Sequence, residues 1–278
     1  SAFCPGPPAR ARPVARRALP RARLAERREP RLAADPGLVV EVAHRCVLGA
    51  ALRPALVEPA VRHSMRAARV AEARGALDQA LVHWEEALDA ESREQSAPRR
   101  RYDVLLGLGR ARHRRGDVAG SRTALTEAVE LGRSLGDPAL MAEAATSFRG
   151  AGVWHWREFG TSDPMMVAVL EECLAALPPG PLRARVQVSL AMELTYEWRS
   201  VEAEAVGAGA VDAVRPLEDH ELFADVIVMR TLQLWGKPGA AGIRIDLAEE
   251  ALTRPLSLEH ELYVRFGSAA SRLQLGDT

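Results

Sequence analysis

Residues 107–131, GLGRARHRRGDVAGSRTALTEAVEL, hold the turn between two helices and decide the fold of the chain. Apolar and small side chains recur at helical spacing over residues 102–115 and again over residues 118–133. Gly116 suits the left-handed conformation that ends a helix, and Asp117 suits the cap of the next helix. This stretch therefore predicts a helix-turn-helix hairpin.

The hairpin recurs along the chain at a regular interval. Four segments place acidic residues before a small residue and an aliphatic one: WEEALDA (84–90), LTEAVEL (125–131), LEECLAA (170–176) and LAEEALT (247–253). Their small residues, with a divergent member at Ala210, are Ala87, Ala128, Cys173, Ala210 and Ala251, and the successive spacings are 41, 45, 37 and 41. Turn-like positions, spaced by 41, 82, 41 and 37, are Gly75, Gly116, Trp198, Gly239 and Gly276. The small residues and the turn positions share one interval, which predicts a repeat of about 41 residues.

Apolar side chains at helical spacing are also found in the other predicted repeats. The predicted pairs are 61–74 with 77–90, 138–150 with 164–177, 182–197 with 200–214 and 219–235 with 240–253, followed by a single helix over 257–275. No alternation typical of strands competes with this pattern. The sequence therefore predicts an all-α fold, a right-handed solenoid of helix-turn-helix repeats whose small residues allow close helix packing.

Three segments make up the predicted domain organisation. Residues 1–23 are rich in Pro and Arg and poor in apolar side chains, which predicts a disordered or irregular basic segment. Residues 24–57 are expected to form connector helices, and residues 58–278 the repeat array with a truncated last repeat. Because the chain starts at Ser1 and stops where a second helix should begin, we expect it to be a fragment.

Composition excludes several functional classes. The formal net charge is zero, so no overall field attracts nucleic acid or an anionic membrane. No apolar run reaches the length of a transmembrane helix, and the isolated Cys4, Cys46 and Cys173 support neither a disulfide framework nor a zinc cluster. We expect a cytoplasmic protein without membrane contact.

The repeats resemble the tetratricopeptide family. Its pattern of large, small and turn residues is matched in the second repeat by Leu105, Leu108-Gly109, Gly116-Asp117, Leu125 and Ala128. The segments LGDP (135–138), FRGAGVWHWREFG (148–160) and LAERREPRLAADPGLVVEVAHRC (24–46) further resemble large actinobacterial ATP-binding transcriptional regulators of the LuxR or antibiotic-regulatory type. That resemblance implies signal transduction through a tetratricopeptide-like array. ATP and DNA would be bound only by domains that this chain does not contain.

No signature of chemistry accompanies the repeats. The paired carboxylates Glu85-Glu86, Glu171-Glu172 and Glu249-Glu250 recur at one repeat position, and neighbouring helical residues diverge too far to share a substrate atom. The seven histidines show no metal-binding spacing, and no phosphate-binding glycine motif is present. We therefore predict no catalytic, metal-binding or cofactor-binding residue. Arg99-Arg100-Arg101 and Arg112 with Arg114-Arg115 are interpreted either as a solvated edge or as phosphate contacts.

Candidate interaction residues fall into two groups. The concave groove of a solenoid, lined by first helices, binds peptides or protein partners, and the expected exposed side chains there are Tyr102, Arg110, His113, Arg185, Glu193 and Glu197. The second group is the aromatic insertion over 151–163, with Trp154, His155, Trp156 and Arg157. The insertion is interpreted as a packed plug, as a partner or ligand contact, or as a catalytic loop carrying His155.

The leading hypothesis is a non-enzymatic helical-repeat scaffold that mediates protein–protein or ligand-sensing interactions within a larger ATP-dependent bacterial transcriptional regulator. The alternative is a free-standing peptide-binding adaptor without ATP or DNA function. Neither the inducing ligand nor the oligomeric state follows from the residues.

Overall fold

The computed structural model describes residues 36–94, 97–147, 163–197 and 199–277, and the fold within them is all-helical with no strand. A 3-10 turn at Pro54–Leu56 joins the first two helices. The helices are α1 (Pro36–Ala50), α2 (Val57–Ala73), α3 (Leu77–Ser92), α4 (Pro98–Arg114), α5 (Val118–Ser134), α6 (Pro138–Thr146), α7 (Pro164–Ala176), α8 (Pro181–Tyr196), α9 (Ser200–Val214), α10 (His220–Gln233), α11 (Ala241–Leu252) and α12 (Leu258–Leu275).

The chain divides into two compact units. Unit 1, Ser1–Leu135, contains α1 to α5, and each of these helices packs against the next. Unit 2, Gly136–Thr278, contains α6 to α12, where consecutive helices also pack together. In unit 2 the helices α6, α8, α10 and α12 additionally contact one another in succession, so side chains on alternate helices come side by side.

Each predicted hairpin in the described residues is present, and the turn chemistry has the expected form. Gly116 has φ +80°, and the carboxylate of Asp117 accepts a hydrogen bond from the backbone amide of Gly120 at 2.9 Å. Three further predicted turn glycines are left-handed: Gly75, Gly239 and Gly276. A side chain at such a φ would be strained, so the spacing of these glycines reflects backbone need. Trp198, the remaining turn position, lies outside the described residues.

The recurring small residues occupy the helix crossings. Ala87, Ala128, Cys173, Ala210 and Ala251 are all fully buried. In unit 1, Leu125 of α5 reaches so close to α4 that a Cβ on Gly109 would lie 2.6 Å from its Cγ. Larger side chains at these positions would force the helices apart.

Several helix boundaries differ from the sequence-based ranges; α2, for example, begins at Val57, four residues before the predicted start at 61. Helix α4 begins at Pro98, four residues before the predicted start, because proline is favoured in the first turn and Arg99 pairs with Asp103 one turn later at 3.2 Å. Helix α6 ends at Thr146. The predicted continuation over 148–150, the insertion over 151–162 and residues 1–35 lie outside the described residues.

Candidate functional site

The groove residues expected on first helices divide into buried and half-buried side chains. Tyr102 and Glu193 are buried, so the expectation that both would be exposed was wrong. Tyr102 stands one turn before Leu105 on the inner face of α4, and the guanidinium of Arg99 lies 5.5 Å above its ring. Glu193 belongs to α8, a helix that neighbours cover on several sides because it contacts α6, α7, α9 and α10.

The other four groove candidates are half-buried, and the structure places them in two different units. Arg110 and His113 lie in unit 1 on α4, where burial and the nearby charge of Arg114 lower the pKa of His113. Arg185 and Glu197 lie in unit 2, at the two ends of α8. The aromatic candidates Trp154, His155, Trp156 and Arg157 fall outside the described residues.

The two basic stretches of unit 1 are neutralised within the chain. All six arginines lie within 4 Å of a carboxylate oxygen, and the pairs are Arg99–Asp103, Arg100–Glu94, Arg101–Glu91, Arg112–Glu85, Arg114–Glu72 and Arg115–Asp78. Burial lowers the pKa of Arg101, but the hydrogen bonds to Glu127 and Glu91 and the charges of these carboxylates together outweigh it, so the pKa is raised. A patch whose cations are already paired attracts phosphates weakly, which favours the solvated-edge interpretation.

An ion pair between two consecutive helices occurs twice in the described residues, and in both cases its arginine lies four residues before a turn glycine. Glu85 lies ten residues after Gly75 and pairs with Arg112 at 3.3 Å, whereas Glu249 lies ten residues after Gly239 and pairs with Arg272. Both arginines precede their own turn glycine by four residues. The sequences RHRRGD (112–117) and RLQLGD (272–277) then share a backbone hydrogen bond of 3.0 Å from the aspartate amide to the arginine carbonyl. The paired carboxylates thus take part in joining helices, as expected for scaffold residues.

A charged cluster in unit 2 joins three alternate helices. The Nε2 of His260 on α12 lies 2.9 Å from Asp225 Oδ1, and its Nδ1 lies 2.7 Å from Glu221 Oε2, both carboxylates being on α10. Ser257 Oγ also lies 2.9 Å from Nδ1. Arg185 of α8 approaches the other oxygen of Asp225 at 3.9 Å. We name these five residues the His260 cluster.

The His260 cluster favours a protonated imidazole. The hydrogen bond with Asp225 raises the pKa of His260, burial opposes the change, and the charges of Asp225 and Glu221 add to it. Because carboxylates flank both ring nitrogens, the doubly protonated ring can donate to each side. The arrangement can hold α12 against α10 and can present partly exposed carboxylates and a guanidinium to a partner.

Sequence reasoning singled out Arg185 but missed the other members of the His260 cluster. Arg185 and Asp225 are 40 residues apart, and Asp225 and His260 are 35 apart. These separations are close to the predicted interval of about 41 residues, and alternate helices are neighbours in unit 2. A search for complementary charges at the predicted interval could have found the cluster.

A second polar feature lies where α11 meets α10 and α12. Arg244 is only 2% exposed, and its guanidinium donates to the carbonyl of Trp235 at 2.9 Å and to the side chain of Gln274. The same guanidinium lies 5.0 Å from the centre of the Trp235 ring. Burial lowers the pKa of Arg244. The two terminal nitrogens of the guanidinium are thus paired with carbonyl oxygens and the cation lies near a ring face, whereas its buried Nε has no hydrogen-bond partner among the described residues.

Neither metal binding nor membrane insertion finds support in the parts of the chain that the structure describes. Residues 36–94, 97–147, 163–197 and 199–277 contain no group of three or more His, Cys, Asp or Glu side chains placed to hold a metal ion. None of the described helices combines the length and apolar character that a transmembrane segment needs. No model of a known protein family matches the sequence, and no curated protein matches it.

Proposed function

We propose that the chain is a non-enzymatic scaffold of tetratricopeptide-like repeats, stacked as a right-handed solenoid with a period of about 41 residues, that binds a protein partner or peptide. The observation that carries this proposal is one contact between successive hairpins that occurs in both units. In both units an arginine four residues before a left-handed glycine pairs with a glutamate of the preceding helix. Recurrent inter-helix contacts of this kind are what a stacked array requires.

The proposed binding surface is the His260 cluster in unit 2. Its members come from helices one repeat apart, so a partner that lies across α8, α10 and α12 would touch all of them. The carboxylates of Asp225 and Glu221 remain about half exposed, as does the guanidinium of Arg185. Partly exposed charges held in place by neighbours favour specific recognition of a charged partner segment.

We further propose that this scaffold belongs to a larger ATP-dependent cytoplasmic regulator of transcription, in which partner binding biases a nucleotide switch. Support comes from the resemblance of LGDP (135–138) and the two longer segments quoted above to actinobacterial regulators. In this proposal ATP and DNA are bound by other domains of the regulator, and the repeats supply the sensing surface.

A reporter experiment in the native strain tests the proposal. First, the reading frame on both sides is determined, and we expect a phosphate-binding Gly-x-x-x-x-Gly-Lys-Ser/Thr motif and a helix-turn-helix domain. Then Arg185→Ala is introduced in the gene, with Arg93→Ala as control because Arg93 forms an ordinary exposed pair with Asp89 on α3. We expect only the Arg185 variant to change transcription from the regulated promoter, with ATP binding unaltered.

Two outcomes would contradict parts of the proposal. A frame without nucleotide-binding or DNA-binding domains would exclude the regulator and leave the peptide-binding adaptor. Equal transcription from the Arg185→Ala and Arg93→Ala strains would exclude the His260 cluster as the sensing surface.

A further inference from the structure

Helices α1 and α2 of unit 1 match α9 and α10 of unit 2 at a constant offset in residue number. Helix α1 spans 36–50 and α9 spans 200–214, so their first and last residues both differ by 164. The same difference separates Gly75, the left-handed glycine that follows α2, from Gly239, the left-handed glycine that follows α10. The two helix pairs can therefore be compared position by position.

In unit 2, an arginine of α10 is neutralised by a carboxylate of α9. Arg230 is only 3% exposed, and its guanidinium donates hydrogen bonds to Glu204 of α9 and to the side chain of Gln233. Gly207 of α9 makes room for these groups, because a Cβ there would lie 2.8 Å from Nη1 of Arg230 and 2.4 Å from Oε1 of Gln233. Lys237 pairs with the other carboxylate oxygen of Glu204 at 2.7 Å. One carboxylate thus neutralises two cations.

At the equivalent positions of unit 1, the arginine is present and the carboxylate is absent. Arg66 of α2 takes the position of Arg230, whereas Val40 of α1 takes that of Glu204. No carboxylate of the described residues forms an ion pair with Arg66. Arg66 therefore keeps a charge that these residues leave unpaired, at the position where unit 2 supplies a glutamate.

Arg66 is also kept from the buried position that Arg230 occupies. Ala43 of α1 is fully buried and takes the position of Gly207. Since a Cβ on Gly207 would lie 2.8 Å from Nη1 of Arg230, the methyl group of Ala43 leaves no room for a guanidinium in the same place. The side chain of Arg66 is half-buried rather than buried, so its guanidinium stays within reach of a partner.

A second unpaired cation lies beside Arg66 on α2. Arg69 takes the position of the neutral Gln233 and is exposed. Its guanidinium lies 5.9 Å from the centre of the Trp84 ring, and among the described residues it forms no ion pair. Like charges one turn apart on a helix repel each other. An anion bound by both guanidinium groups would relieve this repulsion.

We propose that Arg66 and Arg69 bind an acidic segment of a partner protein, in which a glutamate or aspartate carboxylate takes the place that Glu204 has in unit 2. We name these two residues the α2 arginine pair. Hydrogen bonds from guanidinium to carboxylate are strong and directional, so the pair can fix the position of such a segment. Two arginines neutralise about two phosphates, fewer than the ~6–10 that support nucleic-acid binding, which favours a protein segment.

The proposal rests on the proposed function in that both concern partner binding, and it adds a second contact surface. The α2 arginine pair lies in unit 1, whereas the His260 cluster lies in unit 2. Variants of one surface should therefore leave binding at the other surface unchanged. This separation allows failure of the α2 arginine pair to be told apart from failure of the His260 cluster.

Binding of an oligoglutamate peptide to the whole chain tests the proposal. A fluorescent dye is attached after Ala73→Cys, because Ala73 is exposed one turn after Arg69 on the same face of α2. The chain also carries Cys4→Ser, and the remaining Cys46 and Cys173 are buried. We expect saturable binding of oligoglutamate that an oligoglutamine peptide of equal length does not show.

Substitution of single arginines tests which cations are used. Arg66→Ala and Arg69→Ala should each weaken oligoglutamate binding by about three- to tenfold, as expected for the loss of a partly exposed charged contact. Arg93→Ala is the matched control, since Arg93 is paired with Asp89 at 2.7 Å, and its affinity should equal that of the wild type. Arg185→Ala, in the His260 cluster, should also leave this affinity unchanged.

Val40→Glu tests the comparison of the two units directly, because it supplies the missing carboxylate from within the chain. The new carboxylate should neutralise Arg66 as Glu204 neutralises Arg230, so we expect weaker oligoglutamate binding and a higher midpoint of urea unfolding. Val82→Glu makes the same change at another exposed valine of unit 1, on α3, and should have neither effect. Circular dichroism checks that every variant keeps its helices.

Four results would overturn the proposal. The first is equal binding of oligoglutamate and oligoglutamine, and the second is an oligoglutamate affinity that Arg66→Ala leaves unchanged. The third is Val40→Glu binding the peptide as Val82→Glu does. The fourth is tighter binding of an oligothymidylate than of oligoglutamate with the same dependence on Arg66, which would assign the α2 arginine pair to nucleic acid.

Discussion

Replacing His260 by Gln should destabilise unit 2 in a manner that depends on pH. The imidazole of His260 is held between Asp225 and Glu221 of α10, and its side chain is only 17% exposed. Glutamine keeps one donor and one acceptor but carries no charge. The substitution therefore removes the ionic part of the contact between α10 and α12 and leaves packing largely intact.

The magnitude follows from how exposed the two carboxylates are. A hydrogen bond to a charged group contributes ~1.5–3 kcal/mol when it is shielded from water. The side chains of Asp225 and Glu221 are 44% and 56% exposed, so each pair is closer to a surface ion pair, which contributes ~0.2–1 kcal/mol. Counting both contacts, we expect a loss of about 0.4–2 kcal/mol when His260 is protonated.

The direction of the pH dependence follows from proton linkage. The folded-state pKa of His260 lies above its ordinary value, so the folded chain binds the proton more tightly than the unfolded chain does. The stabilisation is therefore complete below the unfolded pKa of about 6.5 and disappears as pH rises through the folded pKa. The difference between wild type and His260→Gln should shrink accordingly towards alkaline pH.

Urea unfolding followed by circular dichroism, repeated from mildly acidic to mildly alkaline pH, measures this difference. Hydrogen exchange of α12 localises the loss to the expected helix. His113→Gln provides a control of opposite sign, because burial and Arg114 lower the pKa of His113 and its protonation costs stability at low pH. A destabilisation by His260→Gln that is the same at every pH would refute the ionic role of the ring.

Five further substitutions, at Trp84, Gly109, Gly242 and Asp117, test the packing and capping of the helices, each measured by the free energy of urea unfolding. Trp84→Ala should cost about 3–5 kcal/mol, because the indole is buried and donates to Glu72 at 3.1 Å, and Trp84→Phe should cost less. Gly109→Ala should cost about 1–3 kcal/mol through its clash with Leu125, whereas Gly242→Ala, with open space around its Cβ, should stabilise by ~0.5–1 kcal/mol. Asp117→Ala should cost about 1 kcal/mol by removing the cap of α5, and an unchanged stability would contradict the capping role.

The helix boundaries could be predicted from the sequence because the turns and caps that set them depend on residues close together in the chain. The left-handed turn at Gly116 and the caps at Asp117 and Asp163 each depend on residues within three positions of one another. Periodicity over 15 or so residues then places the helices between such signals. The hairpins were predictable because their boundaries are fixed within the segment itself.

Burial of polar side chains could not be predicted in the same way. Arg244 lies seven residues before the small crossing residue Ala251. In two other hairpins the residue at the same distance before the crossing residue is a buried alanine, Ala80 or Ala203. The arginine is accommodated because Trp235 offers its carbonyl and ring and Gln274 offers an oxygen. These partners lie 9 and 30 residues away, so no local pattern reveals them. Tyr102 and Glu193 were misjudged for the same reason.

Under the proposed function, residues that recur along the chain stabilise the scaffold and the residues of the His260 cluster recognise a partner. The turn glycine, the arginine four residues before it and the small crossing residue recur in both units, so they serve helix stacking. His260 does not recur: counted from the turn glycines, its equivalents are Pro59, Arg100 and Phe223. Arg100 instead pairs with Glu94 of the preceding connection. Substitutions at recurring positions should therefore unfold hairpins, whereas substitutions in the His260 cluster should alter partner binding at a modest cost in stability.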